Sequence, residues 1–222
     1  MRLAIAGLLD AAQLTELRRL LVRGRYDDGR RTAGAAARQV KNNLQLDPAR
    51  PEYKAASTIV QAALLANETL QSAALPRFFS GLLFSRYESG IGYGTQVDNA
   101  LMNAPQLRSD LAYTLFLAEP TEYVGGELVL KDPEGENAIK LPAGALYLYP
   151  ATALHRVENV TEGRRDVCVG WVQSLVRDER IREMIFDLTR VKALLEDQPA
   201  QREARDLIAR TRANLLRLHA EV

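Results

Sequence analysis

Residues 93–99 read Tyr93-Gly94-Thr95-Gln96-Val97-Asp98-Asn99, so that a carboxylate follows a side-chain amide by two positions. Side chains at positions i and i+2 of a strand point to the same face, and Gln96 and Asp98 therefore project together if this stretch is extended. His155 comes 57 residues after Asp98, and Arg165 follows ten residues after His155. If these segments are neighbouring strands, the four side chains form one candidate site.

The sequence around this stretch is typical of short β-strands. Between residues 77 and 177, runs rich in β-branched, aromatic and leucine residues alternate with glycine and proline. The clearest runs are 78–79, 82–87, 113–117, 127–130, 145–149 and 167–172. Many short strands separated by regular turn signals predict an antiparallel barrel or a double-sheet jelly roll.

Helical patterns flank the strand-rich region on both sides, which predicts an α+β protein. Asp10 is a candidate N-cap for a first helix that ends near residues 23–24, and Pro51 can open a second helix at its first position. Asp178 is a candidate cap for a third helix, which Pro199 breaks before a fourth. The predicted parts are an N-terminal helical support region (1–76), a β core (77–177) and a C-terminal helical region (178–222).

Composition restricts the class of protein. The 222 residues are 47% hydrophobic with a net charge of +1, so the chain can bury a core and has no basic excess for nucleic acid or an anionic membrane. No run approaches the roughly 18 apolar residues that a membrane span needs. Cys168, the single cysteine, lies in an apolar run and is interpreted as a buried hydrophobe in a reducing compartment. We therefore expect a cytoplasmic protein.

The residue types of the candidate site favour metal chemistry. Histidine nitrogen and carboxylate oxygen bind first-row divalent metals, and non-haem Fe(II) oxygenases use two histidines and one carboxylate on one face of the ion. Arg165 can hold a carboxylate in a bidentate grip, and Tyr87 can donate a second hydrogen bond to the same group. A single histidine is more often a surface residue, as we interpret His219. The joint spacing of Asp98, His155 and Arg165 carries the hypothesis.

The chain resembles the bacterial PKHD-type hydroxylases, relatives of the prolyl and lysyl hydroxylases. The resemblance is carried by the order and spacing of Gln39–Asp47, Arg86-Tyr87, Tyr93–Asn99, Asp110–Leu117, Gly125–Leu128, Leu141–Pro150, His155–Val160, Gly163–Arg165 and Trp171–Ser174. It implies a double-stranded β-helix core with external helices. It also implies Fe(II) at Asp98 and His155, 2-oxoglutarate held by Arg165 with help from Tyr87, and L-ascorbate as a reductant that keeps the iron reduced.

The departure from this family is Gln96, which stands where the family has its first histidine ligand. An amide oxygen is a poorer donor to Fe(II) than an imidazole nitrogen. Three explanations stay open: an engineered ligand knockout, a natural variant with weak metal binding, and a pseudoenzyme that keeps the pocket.

The resemblance thus implies an Fe(II)- and 2-oxoglutarate-dependent dioxygenase that hydroxylates an unidentified small molecule or peptide, with Asp98, His155 and Gln96 as the metal positions. The alternative is a catalytically impaired module that binds 2-oxoglutarate or metal, with the helical tail presenting a surface to a partner. A cupin-like sugar-binding protein would need a different metal motif. The apolar stripes of residues 178–222 predict packing on the β core or on a second subunit, which allows a homodimer.

Overall fold

A computed structural model describes residues 1–29, 42–103, 106–196 and 198–221 of the chain. Residues 39–41, the beginning of the stretch Gln39–Asp47 used in the resemblance, lie outside these ranges. The helices are α1 (Ala11–Arg23), α2 (Pro51–Ala66), α3 (Glu68–Ala74), α4 (Glu179–Leu194) and α5 (Arg202–His219). The strands are β1 (Leu3–Ile5), β2 (Tyr26–Asp28), β3 (Leu44–Leu46), β4 (Pro76–Phe79), β5 (Leu83–Tyr87), β6 (Tyr93–Gln96), β7 (Leu101–Asn103), β8 (Gln106–Arg108), β9 (Leu111–Phe116), β10 (Tyr123–Gly125), β11 (Leu128–Asp132), β12 (Gly135–Ile139), β13 (Leu146–Pro150), β14 (Leu154–Val157), β15 (Val160–Gly163) and β16 (Arg165–Ser174).

Two antiparallel sheets form the centre of the structure. The larger has the order β1-β13-β9-β16-β5-β3-β2, and β4 also pairs with β16. The smaller has the order β12-β11-β14-β6. Two further ribbons, β10 with β15 and β7 with β8, complete the described strands. These sheets with their flanking helices confirm the predicted α+β class.

Strand β16 shows how the sequence covers both faces of the large sheet. Its even positions, including Cys168 and Val172, belong to the core under the helices. Its odd positions, including Val167 and Trp171, belong to the core between the two sheets. Since successive side chains of a strand alternate between faces, a nearly continuous apolar run is what a strand buried on both sides requires. The molecule is therefore layered as helices, large sheet and small sheet.

The first two helices begin where the sequence predicts. The Asp10 carboxylate accepts a hydrogen bond from the backbone N–H of Gln13 at 2.8 Å, and the side-chain oxygen of Gln13 accepts one from the backbone N–H of Asp10. This capping box satisfies two amide groups that the first helical turn leaves without partners. Helix α2 begins at Pro51, as predicted. The separate helix α3, whose first turn is capped by Asn67, was not distinguished in the sequence.

The C-terminal helices pack beside the edge of the large sheet. Asp178 caps α4, which ends before Pro199, and both features agree with the sequence pattern. Ile185 of α4 is buried against Leu75 and Val176, and α5 packs against α4. The end of α5 is tied back by a hydrogen bond from the Glu221 amide to the Leu175 carbonyl at 2.7 Å.

The N-terminal part supplies strands as well as helices. Strand β1 pairs with β13, and β3 pairs with β5, so this part is continuous with the large sheet. The division at residues 76 and 177 stays a prediction. Among the described helices, none is long and apolar enough to cross a membrane.

Candidate functional site

A cavity of about 180 Å³ opens between the two sheets. Its wall is mostly apolar, with a small number of polar groups pointing inward, which is the usual character of a small-molecule site. Both sheets and the N-terminal segment contribute to it. The described residues that line it are Asn43, Gln45, Leu83, Ser85, Tyr87, Tyr93, Gln96, Val97, Asp98, Asn99, Met102, Thr114, Leu128, Tyr149, His155, Val157, Arg165, Val169 and Trp171.

His155 is held by the backbone in one orientation. It lies on β14, and its side chain is 6% exposed. Its Nδ1 atom lies 3.0 Å from the Ala153 carbonyl oxygen. Because a carbonyl oxygen only accepts, Nδ1 must carry the hydrogen, and Nε2 of the neutral ring then presents a lone pair. Tyr149 packs edge-on against the ring, with 5.6 Å between the ring centroids. The imidazole is thus prepared as a ligand through Nε2.

Asp98 lies beside that nitrogen. Its Oδ1 atom is 3.8 Å from His155 Nε2, and its side chain is 6% exposed. The other carboxylate oxygen is buried and has no hydrogen-bond partner among the described residues. Burial raises the pKa of the Asp98 carboxyl. An unpartnered buried carboxylate is costly, which favours a cation as its missing partner.

Gln96 faces His155 across the strand pair. The two residues are direct partners in the pairing of β6 with β14, which brings their side chains to one place. Gln96 Nε2 lies 3.3 Å from His155 Nε2. Asp98 follows Gln96 by two residues, just beyond the end of β6. The structure therefore brings Gln96, Asp98 and His155 together, as the spacing predicted.

Arg165 occupies the inner end of the same cavity. It is 1% exposed, and its Nε and Nη1 atoms have no hydrogen-bond partner in the described part of the chain. Tyr87 is its direct partner across the pairing of β16 with β5, and the guanidinium carbon lies 4.9 Å from the Tyr87 ring centroid. Burial raises the pKa of the hydroxyls of Tyr87 and Tyr123, and the Arg165 guanidinium offsets part of each rise. A buried cation with free donors is suited to an anionic ligand.

A glycine makes room for the side chain of Arg165. Gly126 has a backbone φ of +69°, a conformation that residues with a Cβ atom rarely adopt. A Cβ atom there would lie 3.0 Å from Cδ of Arg165 and 3.1 Å from Cδ2 of Tyr123. Gly126, which belongs to the stretch Gly125–Leu128 of the family resemblance, thus has a steric role next to the site.

The site also contains residues that the sequence analysis did not assign. Tyr149 contacts His155, Tyr123 lies beside Arg165, and the Trp171 indole N–H is buried in the cavity wall without a partner among the residues described. Asn43 joins the wall from the N-terminal segment. The alternation of β13 and β16 indicates which of their residues share a face, but not which face borders a cavity.

These groups fit a divalent metal and a dicarboxylate. Two ligand bonds of about 2.0–2.2 Å, as for Zn²⁺, can bridge atoms 3.8 Å apart, so one ion can contact Asp98 and His155 together. In the described ranges, no three His, Cys, Asp or Glu side chains converge on one point. The third side chain beside Asp98 and His155 is the amide of Gln96. The free donors of Arg165 supply a carboxylate-binding group in the same cavity.

Comparison with known proteins defines the class. The family model of the 2OG-Fe(II) oxygenase superfamily matches residues 82–173. A prolyl-4-hydroxylase from Pseudomonas putida shares the fold, with a TM-score of 0.54, 19% sequence identity, and coverage of 78% of this chain and 92% of that one. A prolyl hydroxylase from Trichoplax adhaerens, solved with a hypoxia inducible factor peptide, has a TM-score of 0.57 at 15% identity, covering 77% and 83% of the two chains. The chain thus shares the fold of these two prolyl hydroxylases, and the residues matched by the family model include Gln96, Asp98, His155 and Arg165.

The family within this class is defined by full-length relatives. A PKHD-type hydroxylase of Rippkaea orientalis is 46% identical over 98% of both chains, and one of Synechococcus elongatus is 46% identical over 100% of both. The chain belongs to the PKHD-type hydroxylases of the 2OG-Fe(II) oxygenase superfamily. The family's activity is that of a dioxygenase that uses Fe(II) and 2-oxoglutarate.

Proposed function

We propose that this chain is a hydroxylase in which Asp98 and His155 hold Fe(II) and Arg165 holds the distal carboxylate of 2-oxoglutarate. Gln96 stands at the position of the family's first histidine. The observation that carries the proposal is the convergence of three buried groups on one cavity. Asp98 and His155 face each other at 3.8 Å, and Arg165 presents unpartnered donors to the same space.

Each residue has a role that follows from its surroundings. Arg165 neutralises and orients one end of the cosubstrate, and the hydroxyl of Tyr87 donates a second hydrogen bond to that end. Burial strengthens both interactions because the cavity wall has a low dielectric constant. The Ala153 carbonyl fixes His155 so that Nε2 faces the cavity. Tyr149 and Trp171 exclude bulk water around the His155 imidazole.

When bound, the metal and 2-oxoglutarate would supply the oxidative chemistry, in which one atom of dioxygen enters succinate as 2-oxoglutarate loses carbon dioxide, and the other atom converts a substrate C–H bond to C–OH. The substrate is a small molecule or a peptide. It enters beside Val97, which lines the cavity and is 52% exposed. L-Ascorbate as a reductant belongs to the proposal through the family resemblance alone.

We also infer that the two facing sheets form a double-stranded β-helix. The support is that a four-stranded antiparallel sheet covers the inner face of the large sheet and that the cavity lies between them.

The test is the formation of succinate from 2-oxoglutarate with added Fe(II), compared between the parent chain and His155→Ala. The matched control is His219→Ala, which changes the other histidine, exposed near the end of α5. We expect His219→Ala to match the parent and His155→Ala to lose both turnover and metal binding. Equal turnover in all three proteins would contradict the proposed metal site.

A second candidate function is favoured by Gln96. A chain that lacks one imidazole ligand can retain the pocket as a binding module for 2-oxoglutarate or metal without turnover. Saturable binding of 2-oxoglutarate that depends on Arg165, combined with no succinate formation even after Gln96→His, would favour this function. Succinate formation by the parent chain would exclude it.

A further inference from the structure

The metal-binding nitrogen of His155 already has a partner within the protein. Gln96 Nε2 lies 3.3 Å from His155 Nε2, while the nearest carboxylate oxygen, Asp98 Oδ1, is farther away at 3.8 Å. Both side chains line the cavity, and the pairing of β6 with β14 holds their backbones opposite each other. The contact is therefore built into the sheet and does not depend on a mobile loop.

The hydrogen-bonding chemistry determines which end of the Gln96 amide faces the ring. The Ala153 carbonyl fixes the hydrogen of the neutral imidazole on Nδ1, so Nε2 can only accept. The group opposite Nε2 must then be the NH₂ of Gln96, because the amide oxygen has no hydrogen to donate. Crystallographic amide assignments rest on the same kind of network argument. The amide oxygen, the only atom of Gln96 that can bind a metal, is thus directed away from this contact.

We propose that Gln96 is a cap on His155 and not a metal ligand. Its NH₂ group donates to the Nε2 lone pair, and a metal ion reaches that lone pair only after this hydrogen bond is broken. The protein ligands of the metal are then Asp98 and His155 alone, which leaves one more position for solvent or cosubstrate than a three-ligand site. The inference rests on the proposed function, because it assumes that Asp98 and His155 are the ligands.

The two roles of Gln96 predict opposite effects of one substitution. Gln96→Ala removes the amide entirely. If Gln96 caps His155, the variant binds Co²⁺ more tightly, by roughly two- to tenfold, the effect of one neutral hydrogen bond. If Gln96 is a ligand, the same variant binds Co²⁺ more weakly. The measurement is the Co²⁺ dissociation constant from calorimetric titration of the full chain without 2-oxoglutarate, and weaker or unchanged binding by Gln96→Ala overturns the cap.

The variant His155→Ala separates failure of the cap from failure of the site. If His155→Ala binds Co²⁺ as the parent does, the proposed metal site is wrong and the cap has no function. If His155→Ala loses binding while Gln96→Ala also binds more weakly, only the cap is wrong.

A second measurement observes the hydrogen bond itself. In ¹⁵N nuclear magnetic resonance spectra of the metal-free chain, we expect His155 as the Nδ1–H tautomer, and we expect the Gln96 side-chain amide protons shifted by hydrogen bonding. Addition of Zn²⁺, a diamagnetic probe, should return those amide protons to the position of a free side chain. A Gln96 amide resonance that already has the free position before Zn²⁺ is added would overturn the proposal.

Discussion

Substitution of Arg165 tests whether the cavity binds 2-oxoglutarate as described. Arg165 is 1% exposed, and two of its nitrogens have no hydrogen-bond partner among the described residues. Removing one partner of a buried, hydrogen-bonded charge pair costs about 2–5 kcal/mol of binding free energy, or roughly 30- to 5,000-fold in affinity. We therefore expect Arg165→Met to weaken 2-oxoglutarate binding by at least about 30-fold.

The same substitution should not destabilise the protein in the absence of 2-oxoglutarate. Methionine fills much of the space of the arginine stem, and the variant no longer buries a charge without a protein partner. The free energy of unfolding without 2-oxoglutarate should thus stay equal or rise. A loss of affinity together with unchanged stability distinguishes a ligand-binding arginine from a structural one.

The assay is calorimetric titration of 2-oxoglutarate in the presence of saturating Mn²⁺, a stand-in that avoids oxygen chemistry. The matched control is Arg164→Ala, because Arg164 is the exposed neighbour and its guanidinium pairs with Asp166 at 3.1 Å, away from the cavity. Arg164→Ala should bind 2-oxoglutarate within about twofold of the parent, the scale of a surface ion pair. If Arg165→Met binds within threefold of the parent, the assignment of the carboxylate site is refuted.

Three other outcomes follow from the structure. Gln96→His should raise Fe(II) affinity by at least about tenfold, because imidazole replaces an amide that is a poor ligand, and equal affinity in equilibrium dialysis would contradict this. Cys168 is fully buried, and burial raises the pKa of its thiol. A thiol reagent should therefore label Cys168 only after unfolding, and rapid labelling of the native chain would contradict the packing described. Arg182→Met should lower the free energy of unfolding by about 2–4 kcal/mol, because the hydrogen bonds of 2.8 Å from Arg182 to the carbonyls of Val176 and Arg177 are lost. The measurement is urea denaturation, and an unchanged midpoint and slope would show that α4 is held by other contacts.

Local signals in the sequence predicted the elements that local physics determines. Asp10 and Asp178 predict helix starts because a short polar side chain can accept hydrogen bonds from the unpaired backbone N–H groups of a first helical turn. Both act as N-caps in the structure. Gln96 and Asp98 also line the same cavity, but strand β6 ends at Gln96, so alternation along a strand does not account for the position of Asp98. His155 then meets them through strand pairing, which the sequence indicates only through the order of its motifs.

Long-range pairing accounts for what the sequence did not predict. Strand β3 pairs with β5 through Leu44 with Arg86 and Gln45 with Ser85, which are 42 and 40 residues apart, and this places Asn43 in the cavity wall. No local pattern indicates such a pairing, since a three-residue strand is too short to show periodicity.

Direct observation of the metal centre is the closest test of whether Asp98 and His155 hold the iron. Anaerobic titration of Fe(II) into the full chain with 2-oxoglutarate, followed by the visible absorption of the Fe(II)–2-oxoglutarate chelate, measures metal and cosubstrate at one site. We expect a saturable band at one Fe(II) per chain in the parent. We also expect this band to be lost in His155→Ala and in Asp98→Ala and kept in His219→Ala. An unchanged band in His155→Ala or in Asp98→Ala would contradict the claim that these two residues hold the iron.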